Sequence, residues 1–254
     1  MRIKSWGHAF FAATMVGLGI LGLVQGRFTP IWGGVPQDMP ARAGLAYLCA
    51  LVLLTTGSGL LWRRSAAVAS RVLLVYLLAW LILLRLPFLL TAFAVDTWWA
   101  AAQAAAMVAA AWVLYVWFAG EQDAGRVGFA TGERGLRIAR ALYGLGLIPF
   151  GIAHFIYLER TASLVPGWLP WHVGLSYCTG AAFIAAGVAV LTGVAARLAA
   201  TLVALQVGLF TLLVWVPIIM ATPRPSDWHE FIESIALTTV AWVVADCYRG
   251  TPWL

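Results

Sequence analysis

Eight long apolar stretches restrict the fold of this chain more than any other feature of its sequence. They run roughly over residues 8–26, 43–62, 72–91, 97–119, 138–158, 174–193, 198–220 and 228–246. Each is about 20 residues long, the length that an α-helix needs to cross the hydrocarbon core of a bilayer. The sequence therefore predicts an all-α membrane protein with eight transmembrane helices, surrounded by a lipid bilayer.

The composition agrees with this prediction and argues against other classes of protein. Charged residues make up 10% of the chain, whereas soluble domains carry roughly 25%. The 16 Lys and Arg residues give a net charge of +6, but they are scattered between apolar stretches, so we expect no nucleic-acid partner. Cys49, Cys178 and Cys247 lie in or beside apolar segments without CxxC spacing, and we interpret them as small apolar residues.

A long internal repeat organises the chain. Gly17-Leu18-Gly19 recurs as Gly144-Leu145-Gly146, and from residue 35 onward corresponding positions lie 130 residues apart. At that spacing residues 35–47 align with residues 165–177, sharing Val, two prolines, Gly, Leu and Tyr. Further matching pairs are Gly57 and Gly187, Pro87 and Pro217, Trp98 and Trp228, and Trp112 and Trp242. Pro, Gly and Trp at one constant spacing indicate a duplication, because shared Ala and Leu alone would not produce them.

The repeat predicts how the chain is divided. We expect a first four-helix unit over residues 1–120, a cytoplasmic linker over 121–137 and a second four-helix unit over 138–254. Because four helices return the chain to its starting side, the two units should be parallel, related by a pseudo-twofold axis along the membrane normal. The first apolar stretch also has the charged start of a signal peptide. It corresponds to a mid-chain segment around 141–158, so we interpret it as a retained transmembrane helix.

Basic residues in the short loops predict the orientation in the membrane. One side carries Arg2, Lys4, Arg63, Arg64, Arg71, Arg126, Arg134, Arg137, Arg140, Arg197 and Arg249. The other side carries Arg27, Arg42, Arg160 and Arg224. We therefore expect a multi-pass protein of the cell (inner) membrane with both termini in the cytoplasm. Trp32, Trp98, Trp99, Trp168, Trp171 and Trp228 map near the outer interface, where tryptophans anchor membrane helices.

Motifs in the second half carry a family resemblance. They are the loop Val165, Pro166, Trp168 and Pro170, the step from Tyr177 to Gly180, the turn that ends at Arg197, and the stretch from Trp228 to Glu233. Residues 136–246 thereby resemble the DoxX/DoxD family of four-helix membrane proteins, and the first half looks like a diverged copy. The resemblance implies a membrane subunit of a redox complex, with a quinone as cofactor and a peripheral oxidoreductase as partner. More distant relatives look like surfeit-type cargo receptors.

Three ionisable residues fall at similar depths inside predicted helices. Arg85, His154 and Glu233 each lie on the order of 6–9 Å below the outer boundary, at about 1.5 Å rise per residue. Because ionisable groups in the membrane usually face a bundle interior or a wet cavity, we expect them to share an outward-opening polar pocket. The full candidate pocket is His154, Tyr177, His229, Glu230, Glu233 and Arg85. The alternatives are an Arg85–Glu233 bridge between the repeats and snorkelling of these side chains toward headgroups.

Two glutamates and two histidines could carry chemistry in this pocket. Glu230 and Glu233 are spaced i, i+3, so their carboxylates should be neighbours and could exchange protons with a bound quinol or substrate. The first repeat has Gln103 and Trp99 where the second has Glu233 and His229, which places the chemistry mainly in the second half. We do not expect His154 and His229 to bind haem, because no motif fixes them facing each other, and no metal motif is present. No catalytic residue is assigned.

Three functions remain open from the sequence. The first is a redox-associated membrane subunit that binds a quinone or docks an oxidoreductase. The second is a transporter or carrier for a small molecule or lipid, because paired repeats with prolines in their helices and buried charges are typical of such proteins. The third is a non-catalytic membrane scaffold in which the polar cluster only holds helices together.

Overall fold

The structure, a computed structural model, describes residues 3–29, 35–36, 38–91, 94–221 and 223–253. Within these ranges every regular element is helical. The helices are α1 (Trp6–Gln25), α2 (Arg42–Leu61), α3 (Ala66–Thr91), α4 (Val95–Phe118), α5 (Glu121–Val127), α6 (Gly132–Ile156), α7 (Leu158–Ser163), α8 (His172–Thr192), α9 (Ala196–Met220) and α10 (Pro225–Asp246). Arg2 and Trp32, used above for orientation and for the aromatic belt, lie outside the described residues.

Seven helices in the described part of the chain are long and apolar enough to cross a membrane, namely α1, α2, α3, α4, α6, α8 and α9. They coincide with seven of the eight predicted stretches, so the all-α membrane class is confirmed. The eighth stretch is also a helix, α10, but it is not among these seven. Its 22 residues include four carboxylates, at positions 227, 230, 233 and 246, which lower its hydropathy.

Local hydrogen bonds fix where the helices begin and end. The Ser5 hydroxyl accepts a bond from the His8 N–H (3.0 Å) at the start of α1. At its end Gly26 takes a left-handed conformation with φ of 61°, which favours glycine. Two later helices have the reverse bond, in which the third helical residue accepts from the N–H that precedes the helix: Thr97 of α4 accepts from Ala94 (3.3 Å) and Asp227 of α10 accepts from Arg224 (2.8 Å). These side chains satisfy donors that a helix start leaves free.

Helix α4 is the most enclosed membrane-length helix. In its apolar part 78% of the residues are buried, against 17% in α9. It packs against α3, α6 and α10, and α10 in turn packs against α1 and α9. The fully buried Ala109, Ala110 and Ala111 carry only methyl groups, which let neighbouring helices come close. Thus α4 and α10 form the centre of the bundle, while α9 exposes apolar side chains such as Leu212 at its edge.

Several structural features recur 130 residues apart. Helices α2 and α8 begin at positions 42 and 172, α3 and α9 at 66 and 196, and α4 and α10 at 95 and 225. Both α3 and α9 contain a π-helical turn, at Leu81–Arg85 and Phe210–Trp215. The residues before α2 and α8, Ala41 and Trp171, are non-glycine residues with positive φ of 53° and 62°. Helix starts, π turns and an unusual backbone conformation therefore occur at matched positions in the two halves of the chain.

Two glycines at the same spacing permit close helix contacts. A Cβ atom on Gly57 of α2 would lie 2.8 Å from the Ala12 carbonyl oxygen of α1, and one on Gly187 of α8 would lie 2.8 Å from the Gly144 carbonyl oxygen of α6. Cβ atoms do not approach a backbone so closely. Both helix pairs, α1 with α2 and α6 with α8, therefore depend on glycine at their crossing point.

The segment between the two halves is more ordered than a simple linker. Helix α5 and the 3₁₀ turn Gly128–Ala130 occupy it, and α6 already begins at Gly132, before the predicted start at 138. Asp123 of α5 contacts Arg71 of α3 (Nη2 to Oδ2, 2.8 Å) and accepts the Gly120 N–H (3.0 Å). Burial alone would raise the pKa of Asp123, but these bonds outweigh it and hold that pKa below its usual range. The acidic linker residue is thus tied to the membrane helices.

Candidate functional site

Glu233 of α10 meets Gln103 of α4 at the centre of the bundle. The Gln103 amide donates from Nε2 to Glu233 Oε2 over 2.8 Å. The His229 imidazole, one turn earlier on α10, donates from Nε2 to Glu233 Oε1 over 3.0 Å. The Glu233 side chain is 13% exposed and the His229 side chain 48% exposed. A largely buried carboxylate is therefore linked to an imidazole that reaches the surface.

The local fold explains why these residues meet. Gln103 and Glu233 stand at the same distance from the starts of their helices, Val95 and Pro225. At about 1.5 Å rise per residue, both lie about 12 Å from the helix start. The helices are packed together, and Thr97 and Asp227 fix their starts in the same way. Equal depth in two neighbouring helices then brings the two side chains together.

A small cavity lies beside this hydrogen bond. Its lining residues are Gln103, Met107, Glu233, Ala236 and Leu237. Because the residues one turn further on both helices line the same space, α4 and α10 run in the same direction here. The cavity has about 10 Å³ of room, close to what one water molecule needs. The site therefore accommodates a single water beside the carboxylate rather than a larger molecule within the bundle.

Arg85 ends the π-helical turn of α3 and faces the same region. Its charge is close enough to interact with that of Glu233, but no described ion pair joins the two side chains. The Arg85 Nε atom is buried and has no hydrogen-bond partner among the described residues. The bridge between Arg85 and Glu233, one of the alternatives above, is thus not formed, and Gln103 makes the direct bond instead.

Glu230 and Glu233 point to different partners. Glu230 forms an ion pair with Arg160 of α7, with 2.6 Å between Oε1 and Nη2. Nearby, the Tyr157 hydroxyl donates to Asp96 Oδ1 of α4 over 2.8 Å. Although the i, i+3 spacing keeps the two glutamates on one side of α10, each has its own partner. The short helix α7 covers the Glu230 side of the site, and no sequence pattern predicted this helix.

His154 of α6 lies in the interior of the second half. Its Nδ1 donates to the Phe150 carbonyl oxygen over 2.7 Å, and its ring lies 5.4 Å from the Phe183 ring and 6.2 Å from the Phe210 ring. A Cβ atom on Gly180 of α8 would come within 2.8 Å of the His154 Cβ, so glycine there makes room for the imidazole. No described hydrogen bond or ion pair connects His154 with Glu233. His154 is therefore not connected by described hydrogen bonds to the group formed by Gln103, Glu233 and His229.

Tyr177 and the residues that carry the family resemblance lie at several places. Tyr177 is exposed beside Phe155, with ring centroids 5.7 Å apart. In the loop before α8, Val165 and Pro166 belong to turns. The Val165 N–H donates to the Ala162 carbonyl oxygen over 3.2 Å, and the Pro166 carbonyl oxygen accepts from the Leu169 N–H over 2.9 Å. Pro170 follows in the same loop, and Trp168 and Trp228 are exposed. Arg197 lies at the linker end, where it donates to the Thr251 carbonyl oxygen over 2.6 Å.

A group of hydroxyls next to Glu233 was missed in the sequence. Thr211, in the π turn of α9, is 2.7 Å from the Ser234 hydroxyl and 2.8 Å from the Thr238 hydroxyl of α10. The first half has Leu81, Ala104 and Val108 at the corresponding positions. A signal did exist, because three polar residues replace apolar ones at the repeat spacing. Gln103 could have been recognised as a contact in the same way, since it lies 130 residues before Glu233.

The two histidines considered for haem have other partners. His154 uses Nδ1 for the Phe150 carbonyl and His229 uses Nε2 for Glu233. Among the described residues, no three His, Cys, Asp or Glu side chains are grouped closely enough to hold a metal ion. The chemistry that the arrangement itself offers is proton exchange between a carboxylate and an imidazole.

Comparison with known proteins adds no relative. No protein-family model, curated protein or solved structure matches the chain. The resemblance to the DoxX/DoxD family therefore depends on the motifs of residues 165–233 alone. The function has to be inferred from the geometry around Glu233.

Proposed function

We propose that the chain is a DoxX-like membrane protein of two parallel four-helix repeats, with α10 as the eighth transmembrane helix. The support is the constant spacing of 130 residues between the starts of three helix pairs, together with the matched π turns. The first repeat comprises residues 1–120 and the second residues 138–254. The pseudo-twofold axis then passes between Gln103 and Glu233, because corresponding positions can touch only at such an axis.

The same proposal includes the orientation. The linker end of the bundle, with most of the arginines and both termini, faces the cytoplasm of the cell (inner) membrane. Glu233, His229 and α7 then lie toward the outer face. Exposed Trp168, Trp171 and Trp228 at that end are consistent with an outer aromatic belt. Cysteine labelling from each side of sealed vesicles would test this orientation.

We further propose that the protein is a membrane subunit of a redox complex and that Glu233 and His229 exchange protons with a quinone. The observation that carries this proposal is the 3.0 Å hydrogen bond between a carboxylate that is 13% exposed and an imidazole that is 48% exposed. Such a pair can pass a proton between the bundle interior and its surface. The proton is held at Glu233 Oε1 or at His229 Nε2, and the Gln103 amide orients the carboxylate from the other side.

The residues around the pair fit a quinone bound from the lipid side. The Arg85 guanidinium makes no described hydrogen bond or ion pair, so it is available as a donor to a carbonyl oxygen. Ile82 and Leu83, earlier in the same π turn, are exposed and offer apolar contact. When bound, a quinone supplies two-electron redox chemistry coupled to protons. Because the cavity between α4 and α10 holds about one water, the ring would lie outside it, against α3.

Glu233→Gln is the direct test. It keeps the shape of the side chain and removes the proton-accepting carboxylate. Purified membranes should lose most quinone reduction by the partner complex, while the folded protein and its extracted quinone remain. Glu159→Gln, on exposed α7, is the matched control and should leave the rate unchanged. Unchanged turnover in the Glu233 variant, or purified wild type that carries neither quinone nor partner, would refute the proposal.

A carrier is the second candidate, because α3 and α9 both contain a π turn next to a proline. Pro87 and Pro217 follow the two π turns at matched positions, and such turns mark places where helices rearrange at functional sites. In a carrier, a cysteine introduced at Ser176 should change its labelling rate when a substrate is added. In a non-catalytic scaffold, Glu233→Gln would lower stability and leave every cellular phenotype intact.

A further inference from the structure

Two arginines at the end opposite the linker have no acidic partner among the described residues. Of the four at this end, Arg160 pairs with Glu230 (2.6 Å) and Arg224 with Asp227 (3.1 Å). Arg27 donates to the neutral Gln25 amide oxygen over 3.0 Å, its one described hydrogen bond. Arg42 lies over the Phe28 ring, 5.4 Å from its centroid, and no described carboxylate pairs with it. The first half therefore presents two uncompensated positive charges where the second half presents neutralised ones.

Other unpaired donors occur at the same place. Arg27, Phe28 and Thr29 line a cleft between the end of α1 and the first turns of α2. The Thr29 hydroxyl and the Arg42 Nε are buried and have no hydrogen-bond partner in the part of the chain that the structure describes. Helix α2 begins at Arg42 without a capping side chain, so the positive end of its dipole is also uncapped. The two guanidinium groups and the helix-start N–H groups together form a site that suits a phosphate.

The surface below the arginines suits acyl chains. Both helices expose apolar side chains within the next turns, at Ile20 and Val24 of α1 and at Leu48 and Leu51 of α2. The cleft itself has no room for a water molecule, so the phosphate would sit outside it, against the Arg27 and Arg42 side chains. A phosphate next to an apolar track is the arrangement of a phospholipid, whose charged group lies at the membrane surface and whose chains lie below it.

We propose that Arg27 and Arg42, with the uncapped start of α2, bind the phosphate of a phospholipid whose acyl chains lie on α1 and α2. The site lies in the first half of the chain, and no described hydrogen bond connects it to Glu233. It does not depend on the proposed redox function. It gives the diverged half a role of its own. The corresponding second-half positions carry His154 and His172, so the second half has no second copy of this arginine pair.

Native mass spectrometry of the full-length protein would test this site, with lipid titrated in detergent. Phosphatidylglycerol supplies phosphate and chains, diacylglycerol supplies the chains alone, and inorganic phosphate supplies the anion alone. One phosphatidylglycerol should bind with an affinity at least tenfold above that for diacylglycerol. The double variant Arg27→Gln, Arg42→Gln should bind it more than tenfold more weakly, and Arg27→Lys, Arg42→Lys should recover part of the loss, because lysine keeps the charge.

Arg224→Gln is the matched control, because it removes one positive charge at the same end from an arginine that is already paired. It should change the affinity less than twofold. Equal binding by the double glutamine variant and the wild type would overturn the proposal, as would equal binding of diacylglycerol. Displacement of the lipid by inorganic phosphate at comparable concentrations would instead identify a free anion as the ligand and overturn the assignment to lipid. A thermal melt of each variant, matching wild type, shows that folding is intact.

Discussion

Replacing Gln103 by leucine would remove the amide that joins α4 to the Glu233 carboxylate on α10. The bond is 2.8 Å long and the acceptor side chain is 13% exposed, so little water is available to replace the lost donor. Leucine keeps the apolar contacts of the site with a similar volume. The perturbation therefore isolates one hydrogen bond at the contact between the two halves of the chain.

The magnitude follows from two limits. A hydrogen bond to a charged group contributes about 1.5–3 kcal/mol in soluble proteins. Hydrogen bonds between membrane helices average about 0.6 kcal/mol, with a maximum of about 1.7 kcal/mol. Because Glu233 is ionisable and keeps a second donor in His229, we expect a coupling energy between positions 103 and 233 of about 1–2 kcal/mol.

A double-mutant cycle measures this energy. The variants are Gln103→Leu, Glu233→Leu and their combination, unfolded reversibly with dodecyl sulfate in mixed micelles. Gln103→Leu with Glu230→Leu is the control, because Glu230 pairs with Arg160 and not with Gln103. The control pair should be additive within about 0.5 kcal/mol. A coupling below about 0.3 kcal/mol between positions 103 and 233 would refute the reasoning.

Three further predictions follow from the fold. Gly57→Leu should lower the unfolding free energy by about 1–3 kcal/mol in a micelle unfolding titration, because its Cβ would meet the Ala12 carbonyl. Gly44→Leu is the control and should lower it far less, because Gly44 of α2 faces open space. Asp123 has a lowered pKa in the folded protein, so its contribution to stability is present above the usual pKa of 3.8 and is lost as the pH falls through the lower folded value. Asp123→Asn should therefore remove this part of the acid dependence of thermal unfolding. An unchanged pH profile of the melting temperature would contradict the prediction. Arg197→Gln should loosen the segment around Thr251 and Trp253, because the guanidinium binds the Thr251 carbonyl and lies 4.0 Å from the Trp253 ring centroid. A protease should then cleave this segment faster than in the Arg64→Gln control.

Sequence patterns predicted the helices well for a simple physical reason. Apolar stretches of membrane length leave the backbone no alternative to internal hydrogen bonds, so their positions can be located from hydropathy alone. The ends were less certain, and α6 begins six residues before the predicted 138 because Gly132 already allows the chain to turn. The helix α7 was missed, since its six residues give no periodic pattern.

The side-chain partners were harder to predict. Glu233 was predicted to lie in a polar pocket, and a bridge to Arg85, the residue of opposite charge, was one of the alternatives. The structure pairs it with neutral Gln103, because depth along two capped helices decides which side chains meet. Glu230 and Glu233 looked like neighbours from their spacing, yet Arg160 on α7 takes one of them. Spacing along one helix cannot identify partners that come from another helix.

The contact between Gln103 and Glu233 bears on whether two separate four-helix chains could form the same bundle as a dimer. In a symmetric dimer of one four-helix unit, the residue at this position would face its own copy. Two glutamates would then compete for one proton, and two glutamines could pair without any ionisable group. Joining the units in a single polypeptide lets the two positions differ, so that an amide donor faces a carboxylate acceptor. In the proposed architecture of two repeats, covalent fusion thereby permits an asymmetric pair at the pseudo-twofold axis, which no homodimer encoded by one sequence can form.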